Sequence, residues 1–518
     1  MSVSAAAPAA PTAMRPPRTR LAVIVAVLAF FCMGAGWALA LPTNGTYDEG
    51  EHIIRAYGVA TGQIYASHGE QDVPRSLLPP NRGCTLVNRA SAGCQTAPPA
   101  DHTRVPMKTG AAGYSPLYYL PVGIPMVISP GYGGIIVGRL ISALMSALVL
   151  GAAVGIAVWL RNRLLVAGLV LVATPMLMNL SGAINPNGLE ISAGALLWCA
   201  LLALLRPDPD NLPSETGTHR LIWIAGVGSA LLMTIRHMGP LLLLISLLGA
   251  VVMARPGRVR ALARRRDMWW AAGILFVLGL LAVAWILTSG VTDVTPVAAY
   301  ARPYGFLQTA RLILIERFPF YLQQVVGQFS YGETSLPSWV ITGWYLPIAA
   351  LVLPALLFAG RRFRLAMLGI FCACLAILVV LEFSFIHTAG WAAQSRYVMP
   401  TGVGLVLAAA FVHRWRAALG PVPTERMVQM AVLVTIPLQW WALATVMTRF
   451  QIGSSGLIDP FRGGSWRPVG GPLPALTTEV VGSVTLGVLA WRLTRSSERS
   501  DRTVKSAYLD STAVPSTH

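Results

Sequence analysis

The sequence predicts an all-α polytopic membrane protein with about twelve transmembrane helices, each of which needs roughly 20 apolar residues. Of its 518 residues, 55% are hydrophobic and only 12% are charged, and the mean hydropathy is +0.61. Soluble domains are about one quarter charged. Long apolar runs recur along the chain, and basic clusters follow alternate runs. Together these observations place the chain in a lipid bilayer.

The excess of positive charge predicts the orientation of the chain. The formal net charge is +18 at pH 7. Arginines cluster directly after apolar segments, at 161–163, 255–266, 361–364, 414–416 and 492–502. Because Lys and Arg concentrate in cytoplasmic loops, we expect a multi-pass protein of the plasma (inner) membrane with both termini in the cytoplasm. The basic residues therefore indicate membrane topology, and we expect no nucleic-acid partner.

The chain divides into an N-terminal segment, a transmembrane domain and a tail. Residues 1–20 are rich in Ala and Pro, which predicts a disordered cytoplasmic N-terminus. The transmembrane domain covers 21–491 and a cytoplasmic tail covers 492–518, with long external loops near 42–131 and 289–337. The predicted spans are 21–41, 133–160, 164–182, 188–205, 221–235, 238–254, 268–288, 338–359, 365–386, 398–412, 427–448 and 474–491. The first run is too long for the apolar region of a signal peptide, so we interpret it as a span.

A charged stretch opens the first external loop. Thr46 and Glu49 have the spacing of a capping box, which predicts that a helix begins here. On that helix Asp48, His52 and Arg55 fall at i, i+4 and i+7 and share one face. The alternative is a solvated helix at the membrane surface whose charges pair only with one another.

The same loop contains two further candidate features. Cys84 and Cys94 are candidates for a disulfide if the loop lies in an oxidising compartment. Tyr118 belongs to the proline-interrupted segment 114–121, which we predict to be an interfacial helix with its tyrosines at the level of the lipid headgroups. The other cysteines lie in apolar spans, where packing is their expected role.

Polar clusters also recur at the predicted external ends of later spans. The candidate binding residues in them are Asn185, Asn187, Glu190, Arg236, His237, Gln394, Arg396 and Tyr397. Each cluster alone is typical of a capped turn. Together, Arg55, Arg236 and Arg396 would form a cationic patch beside Asp48 and Glu49. Arginines bind phosphate oxygens well, so this patch suits a transfer reaction in which the acid deprotonates an acceptor hydroxyl and the arginines hold a phosphate leaving group.

The order of these clusters resembles one family of bacterial predicted membrane proteins, DUF2142. That family has an Asp-Glu-x-x-His helix after the first span, a Pro-Leu-Tyr-Tyr segment, an Asn-Pro-x-Gly-Leu-Glu turn and a late Gln-Gly-Arg-Tyr-x-x-Pro. The matching segments of this chain are 48–52, 116–119, 185–190 and 394–400, and segment 326–329 followed by Leu336-Pro337 is similar to a fifth landmark. Ser395 stands where the family usually has glycine. The resemblance covers most of the chain.

The family in turn resembles the C-type (GT-C) glycosyltransferases. This implies a GT-C-like transmembrane domain and an enzyme that uses a polyprenyl-phosphate sugar as donor and an extracytoplasmic glycan, lipid or protein as acceptor. The resemblance makes Asp48 the expected base and Glu49 its neighbour, both in the catalytic site. It makes Arg396 and Tyr397 candidates for binding the lipid phosphate. Membrane lipids are also expected partners, because they surround the transmembrane domain.

Several alternatives remain open on the sequence alone. A transporter or flippase of lipid-linked glycans would need no chemistry, and a polymerase or ligase of lipid-linked oligosaccharides would share the phosphate site. A purely structural membrane protein is the remaining alternative. Asp48, Glu49 and Glu51 could hold a divalent cation. The strong preference for Arg over Lys indicates a GC-rich genome. On that basis, one hypothesis is that the donor carries an arabinofuranosyl or related cell-wall sugar.

Overall fold

A computed structural model describes residues 16–65, 69–209, 212–290, 300–453 and 457–511. Most of these residues are helical. The first helices are α1 Pro16–Ala40, α2 Glu49–Ala60, α3 Pro116–Ile128, α4 Tyr132–Trp159, α5 Arg163–Val172, α6 Pro175–Ser181, α7 Pro186–Leu205, α8 Glu215–Ile235, α9 Gly239–Met253 and α10 Arg258–Ala263. They are followed by α11 Arg266–Thr288, α12 Phe306–Leu312, α13 Phe318–Val326, α14 Ser338–Phe358, α15 Arg361–Phe385, α16 Met399–Ala409, α17 His413–Leu419, α18 Pro421–Ile452 and α19 Pro472–Ser511.

The described helices account for every predicted span. Nine of them are long and apolar enough to cross a membrane, and the total is up to eleven if each of two bent pairs counts as one span. The bent pairs are α5 with α6, at 67°, and α16 with α17, at 49°. The remaining predicted span, 238–254, corresponds to α9, a shorter apolar helix. A multi-pass helical membrane protein is therefore confirmed, while the number twelve stays a prediction.

The two ends of the chain differ from the expectation in part. Residues 1–15 lie outside the described residues, but residues 16–20 form the first turns of α1 and are not disordered as we expected. At the other end, α19 continues to Ser511, so the helix extends well into the segment predicted to be a tail. The cytoplasmic location of both ends stays a prediction.

Helix α7 lies at the centre of the bundle. All of its residues are buried, and it packs against α4, α8, α9 and α16. Its sequence carries small residues where a neighbour comes closest: a Cβ on Gly194 would lie 2.1 Å from the carbonyl oxygen of Pro400 in α16. Asn185 begins the helix by accepting a hydrogen bond from the Asn187 amide at 3.0 Å. The first turn of α7 is thereby fixed next to the loops predicted to be external.

The loop predicted to be the first external loop folds over this end of the bundle. Helix α2 packs against α3, and two antiparallel strands, β1 Glu70–Pro74 and β2 Arg104–Lys108, follow α2 and precede α3. Cys84 and Cys94 are joined by a disulfide between two short 3-10 turns. The α18 side chain Arg449 donates to the Thr85 and Ala90 carbonyl oxygens at 2.7 and 2.8 Å. The disulfide loop is therefore anchored to the C-terminal end of α18.

The second segment predicted to be external supports the residues that lead into α16. It contains α12, a π-helical turn, α13 and the short strands β3 Gln328–Phe329 and β4 Thr334–Ser335. The fully buried Glu382 of α15 accepts hydrogen bonds from Arg317 at 2.9 Å and from the Tyr321 hydroxyl at 2.6 Å. Its other oxygen accepts from the amides of Ala392 and Ala393. Glu382 therefore fixes the loop immediately before Gln394-Ser395-Arg396.

Candidate functional site

Helix α2 begins at an unusual backbone position. Asp48 is its N-cap in the left-handed region, with φ 56° and ψ 12°, and its side chain makes no capping hydrogen bond. The predicted capping box is therefore wrong: the Thr46 hydroxyl bonds the Asn179 side chain, and Glu49 is already the first helical residue. Aspartate tolerates this conformation better than most residues. Because the Asp48 carboxylate is not used as a cap, it projects away from the helix, and 37% of the side chain is exposed.

The neighbouring acid has a different environment. Glu49 is fully buried and forms a two-pronged ion pair with the equally buried Arg139 of α4, with nitrogen–oxygen distances of 2.7 and 2.6 Å. The Ile184 amide also donates to Glu49, at 3.2 Å. The other N–H groups of Arg139 donate hydrogen bonds to the carbonyl oxygens of residues 38, 41 and 42. This geometry holds α2 against α4 and leaves Asp48 as the acid that faces the loop side.

Arg396 is the partner of Asp48. The two side chains form an ion pair through Nη2 of the arginine. The guanidinium carbon lies 4.5 Å from the Tyr47 ring centre and 5.3 Å from that of Tyr397. Arg396 is only 3% exposed, and its Nε and Nη1 atoms have no hydrogen-bond partner among the described residues. Buried N–H groups without a partner are costly, so this guanidinium is arranged to receive a further acceptor.

Arg236 forms a second cationic group next to the first. It lies 3.5 Å from Glu190, donates to the Tyr114 hydroxyl at 3.2 Å, and its guanidinium carbon is 4.9 Å from the Tyr397 ring centre. Glu190 also accepts from the Asn187 side chain at 3.1 Å. The Nε atom of Arg236 has no partner within the described part of the chain. Both arginines therefore border Tyr397.

Three other candidate residues from the sequence, Asn185, Tyr118 and Gln394, are also buried or have buried side-chain atoms near this site. Asn185 donates to the carbonyl oxygen of Tyr47 at 2.8 Å, which places the residue before Asp48. Tyr118 is buried and hydrogen-bonds Ser142 at 2.9 Å, so its ring is enclosed by protein, and its level in the membrane stays a prediction. The side-chain oxygen of Gln394 is buried and has no described partner. Of these three, Gln394 alone retains an unused side-chain oxygen.

Arg55 and His52 are removed from the cationic patch that the sequence suggested. Arg55 is buried and donates to the carbonyl oxygens of Tyr114, at 2.7 Å, and Ile64, at 3.0 Å. Burial lowers its pKa to about 10. His52 hydrogen-bonds the Tyr119 hydroxyl at 2.8 Å, and burial lowers its pKa to about 3. The patch therefore consists of Arg236 and Arg396, because the Arg55 donors are used by the backbone.

The three acids of the α2 region do not converge on a cation. Asp48 pairs with Arg396 and Glu49 with Arg139, while Glu51 accepts from the Gly110 amide at 2.9 Å. Within the described ranges, no group of three or more His, Cys, Asp or Glu side chains is placed to hold a metal ion.

Two largely apolar cavities lie beside the arginines. The first, of about 280 Å³, is lined by α5, α13, α14, α15 and α16 and reaches Ser395, the residue before Arg396; we call it the Ser395 cavity. The second, of about 290 Å³, lies among the start of α3, the end of α8 and α11. It includes Arg236 and His237, and we call it the Arg236 cavity. The His237 ring is 5.4 Å from that of Tyr114, and burial lowers the pKa of His237 to about 4.

Sequence reasoning missed several residues of the site. Arg139 had a readable signal, because a charged residue inside an apolar span is a functional or structural candidate by default. Tyr47 precedes the acid that it helps to enclose, and its hydroxyl accepts from Gln324 at 3.2 Å. Tyr331, whose hydroxyl bonds Asn44 at 3.3 Å, comes from a distant hairpin. For Tyr47 and Tyr331 no local pattern distinguishes a site residue from an interfacial tyrosine.

Comparison with known proteins gives the following matches. Two structures of ArnT from Cupriavidus metallidurans are similar at 15% identity, and each match covers 92% of this chain and 77% of the other chain. The TM-score is 0.41 for the apo state and 0.39 for the structure bound to undecaprenyl phosphate. No curated protein matches.

The family profile described as predicted membrane protein (DUF2142) matches residues 31–405. This range is well over half of the chain. It includes Asp48, Glu49, Arg139, Arg236 and Arg396, which form the ion pairs described above. The chain belongs to the DUF2142 family of predicted membrane proteins.

Proposed function

We propose that this protein is a membrane glycosyltransferase that moves a sugar from a polyprenyl-phosphate donor to an acceptor hydroxyl on the extracytoplasmic side. The observation that carries the proposal is the pair of Asp48 and Arg396. Asp48 is a partly exposed carboxylate held at a left-handed position, and Arg396 is a buried guanidinium with two nitrogens unpartnered among the described residues. Backbone strain of this kind concentrates at functional sites.

The unpartnered nitrogens of Arg396 suit a phosphate group. Arginine donates well-directed hydrogen bonds to phosphate oxygens, and Nε and Nη1 remain available while Nη2 bonds Asp48. A phosphate here would lie next to the acid that the reaction needs. Tyr47 and Tyr397 line the guanidinium with their rings and limit the access of water.

The transfer step follows from this placement. The acceptor hydroxyl gives its proton to the Asp48 carboxylate as its oxygen bonds the anomeric carbon of the sugar. The bond between that carbon and the phosphate oxygen breaks, and its electron pair stays on the phosphate held by Arg396. General-base catalysis and electrostatic stabilisation of the leaving group are the two contributions that the residues supply.

The Ser395 cavity supports a lipid donor. Apart from a few polar groups such as Ser395 and Tyr321, its lining residues are apolar. Sites for lipid-like ligands are mostly apolar with a small number of polar groups at one end. A polyprenyl chain in this cavity would place its phosphate close to Arg396.

Purified protein can test the proposal with a panel of undecaprenyl-phosphate-linked monosaccharides. Release of undecaprenyl phosphate, measured by mass spectrometry, reports transfer. Asp48→Asn keeps the shape of the side chain but cannot take a proton, so the rate should fall at least about 100-fold. The matched control is Glu51→Gln, which changes another partly exposed acid of α2 and should keep the rate within about twofold, because surface ion pairs contribute little.

Full transfer by a folded Asp48→Asn protein would rule out Asp48 as the base. A folded wild-type protein that releases undecaprenyl phosphate from no donor in the panel, with a membrane lipid extract present, would count against the proposed reaction itself.

A further inference from the structure

The Arg236 cavity is not used by the donor as proposed above. It is of nearly the same volume as the Ser395 cavity, about 290 Å³ against 280 Å³. The two cavities share no lining residue. The protein therefore offers room for two separate occupants, one beside Arg236 and one that reaches the residue before Arg396.

The walls of the Arg236 cavity face the surrounding lipid. Helix α11, which forms one wall, has a single buried residue, Ala271. Leu117 and Leu281, which also line the cavity, are 62% and 61% exposed at the surface of the described structure. In a span-forming helix such as α11, exposed leucines contact acyl chains. An occupant can therefore enter this cavity from the side, with an apolar chain that stays in the bilayer.

The inner end of the cavity is polar. Arg236 is only 6% exposed, and its Nε atom has no partner within the described part of the chain. His237 Nδ1 is likewise buried without a described partner. Trp285 closes this end, with its indole nitrogen donating to the Gly113 carbonyl at 2.8 Å and its ring 5.1 Å from Tyr65. An occupant with phosphate oxygens at its head would satisfy the free Arg236 donor.

The polar end of this cavity meets the proposed reaction site. The Tyr397 ring centre is 4.9 Å from the Arg236 guanidinium and 5.3 Å from that of Arg396. A head group bound at Arg236 would thus be a neighbour of the donor phosphate at Arg396 and of Asp48.

We propose that the Arg236 cavity binds a second amphiphile, a membrane lipid with a phosphate-bearing head group, and that this lipid carries the acceptor hydroxyl. This second proposal rests on the proposed function. It narrows the acceptor from a glycan, lipid or protein to a lipid. The hydroxyl of the bound lipid loses its proton to Asp48 and bonds the anomeric carbon of the donor sugar. The sugar–phosphate bond of the donor breaks with its electron pair on the donor phosphate, so the second lipid keeps its own phosphate.

Photo-crosslinking tests this cavity directly, without an activity assay. The full protein is placed in lipid nanodiscs with phosphatidic acid that carries a diazirine in one acyl chain, and labelled peptides are mapped by mass spectrometry. We expect saturable labelling of 113–117 and 278–286. Ala282→Trp fills the cavity and should remove this labelling, and Ala282→Phe is a smaller filler if the first variant does not fold. The matched control, Ala284→Trp, lies on an exposed face of the same helix outside the cavity and should label like the wild type.

Two further arms separate the possible sources of a signal. Arg236→Gln should raise the probe concentration that gives half-maximal labelling roughly 10- to 100-fold, as expected for a lost charge-assisted hydrogen bond. Equal labelling by a diazirine diacylglycerol, which lacks the phosphate, would overturn the proposal. Displacement of the probe by undecaprenyl phosphate would also overturn it, because the cavity would then be the donor site, and the proposed glycosyltransferase would stand with its donor moved.

Discussion

Replacing Glu49 by glutamine should destabilise the protein, although the change removes only one charge. The Glu49 carboxylate is the only carboxylate within 4.0 Å of the Arg139 guanidinium among the described residues. Glutamine can still accept from Arg139 Nε and from the Ile184 amide through its carbonyl oxygen. Its amide group, however, would face Arg139 Nη2, where the native oxygen accepts at 2.6 Å. A donor would then oppose a donor beside an uncompensated buried charge.

The expected cost follows from this burial. Breaking a buried ion pair by removing one partner typically costs about 3–5 kcal/mol. The three carbonyl oxygens that bind Arg139 remain in the variant, so the lower half of that range is expected. Native proteins have only about 5–15 kcal/mol of stability in total, and the loss should be plain in a denaturant titration in mixed micelles.

The free energy of unfolding of Glu49→Gln is best compared with that of Glu51→Gln. Glu51 is partly exposed and lies 3.9 Å from Arg82, so its replacement should cost less than about 1 kcal/mol. If the two variants unfold alike, the buried pair does not hold α2 in place and the assignment of Glu49 to the fold is refuted. If Glu49→Gln is as stable as the wild type but inactive, Glu49 and not Asp48 would be the acid of the reaction.

Three other outcomes can be measured on the same protein. Arg396→Ala should weaken the binding of undecaprenyl phosphate roughly 10- to 100-fold by native mass spectrometry, and an unchanged affinity would move the phosphate site elsewhere. His52 has a folded-state pKa of about 3, below its ordinary value of about 6.5. The unfolded state therefore binds more protons between these two values. The free energy of unfolding should be unaffected by His52 above about pH 6.5 and should fall as the pH is lowered toward 3. The fall should be smaller in His52→Asn. Replacing Cys84 and Cys94 by serine should raise hydrogen exchange at 81–96, since a closed loop of this length contributes roughly 2–3 kcal/mol; equal exchange would show that the contacts of Arg449 suffice.

The helical membrane domain could be read from composition and apolar run length, because each span must satisfy its own backbone in lipid. The sequence also pointed to Asp48, Arg236 and Arg396, since charged residues at the predicted external ends of apolar runs are few. What it could not show was how each charge is paired. Asp48 and Glu49 are adjacent in the chain, yet their partners lie 348 and 90 residues away.

The errors have physical causes of the same kind. Helical spacing correctly places His52 and Arg55 on α2, but the direction of a side chain depends on what packs against it. The Arg55 guanidinium donates to the carbonyl oxygens of Tyr114, just before α3, and Ile64, just after α2. The prediction of a capping box was wrong because Asp48 adopts a left-handed backbone conformation. The helix therefore begins two positions later than predicted. No local pattern announces such a backbone choice.

The two acids at the start of α2 also acquire their partners at different stages of synthesis. Every group that binds Arg139 comes earlier in the chain: the carbonyl oxygens at 38, 41 and 42, and Glu49. When α4 leaves the ribosome, the groups that can neutralise its buried charge have therefore already been made. Asp48 must wait for Arg396, which follows six more of the long apolar helices or bent pairs. The chain can thus secure α2 early in membrane insertion, while the ion pair at the proposed reaction site can form only after Arg396 has been made.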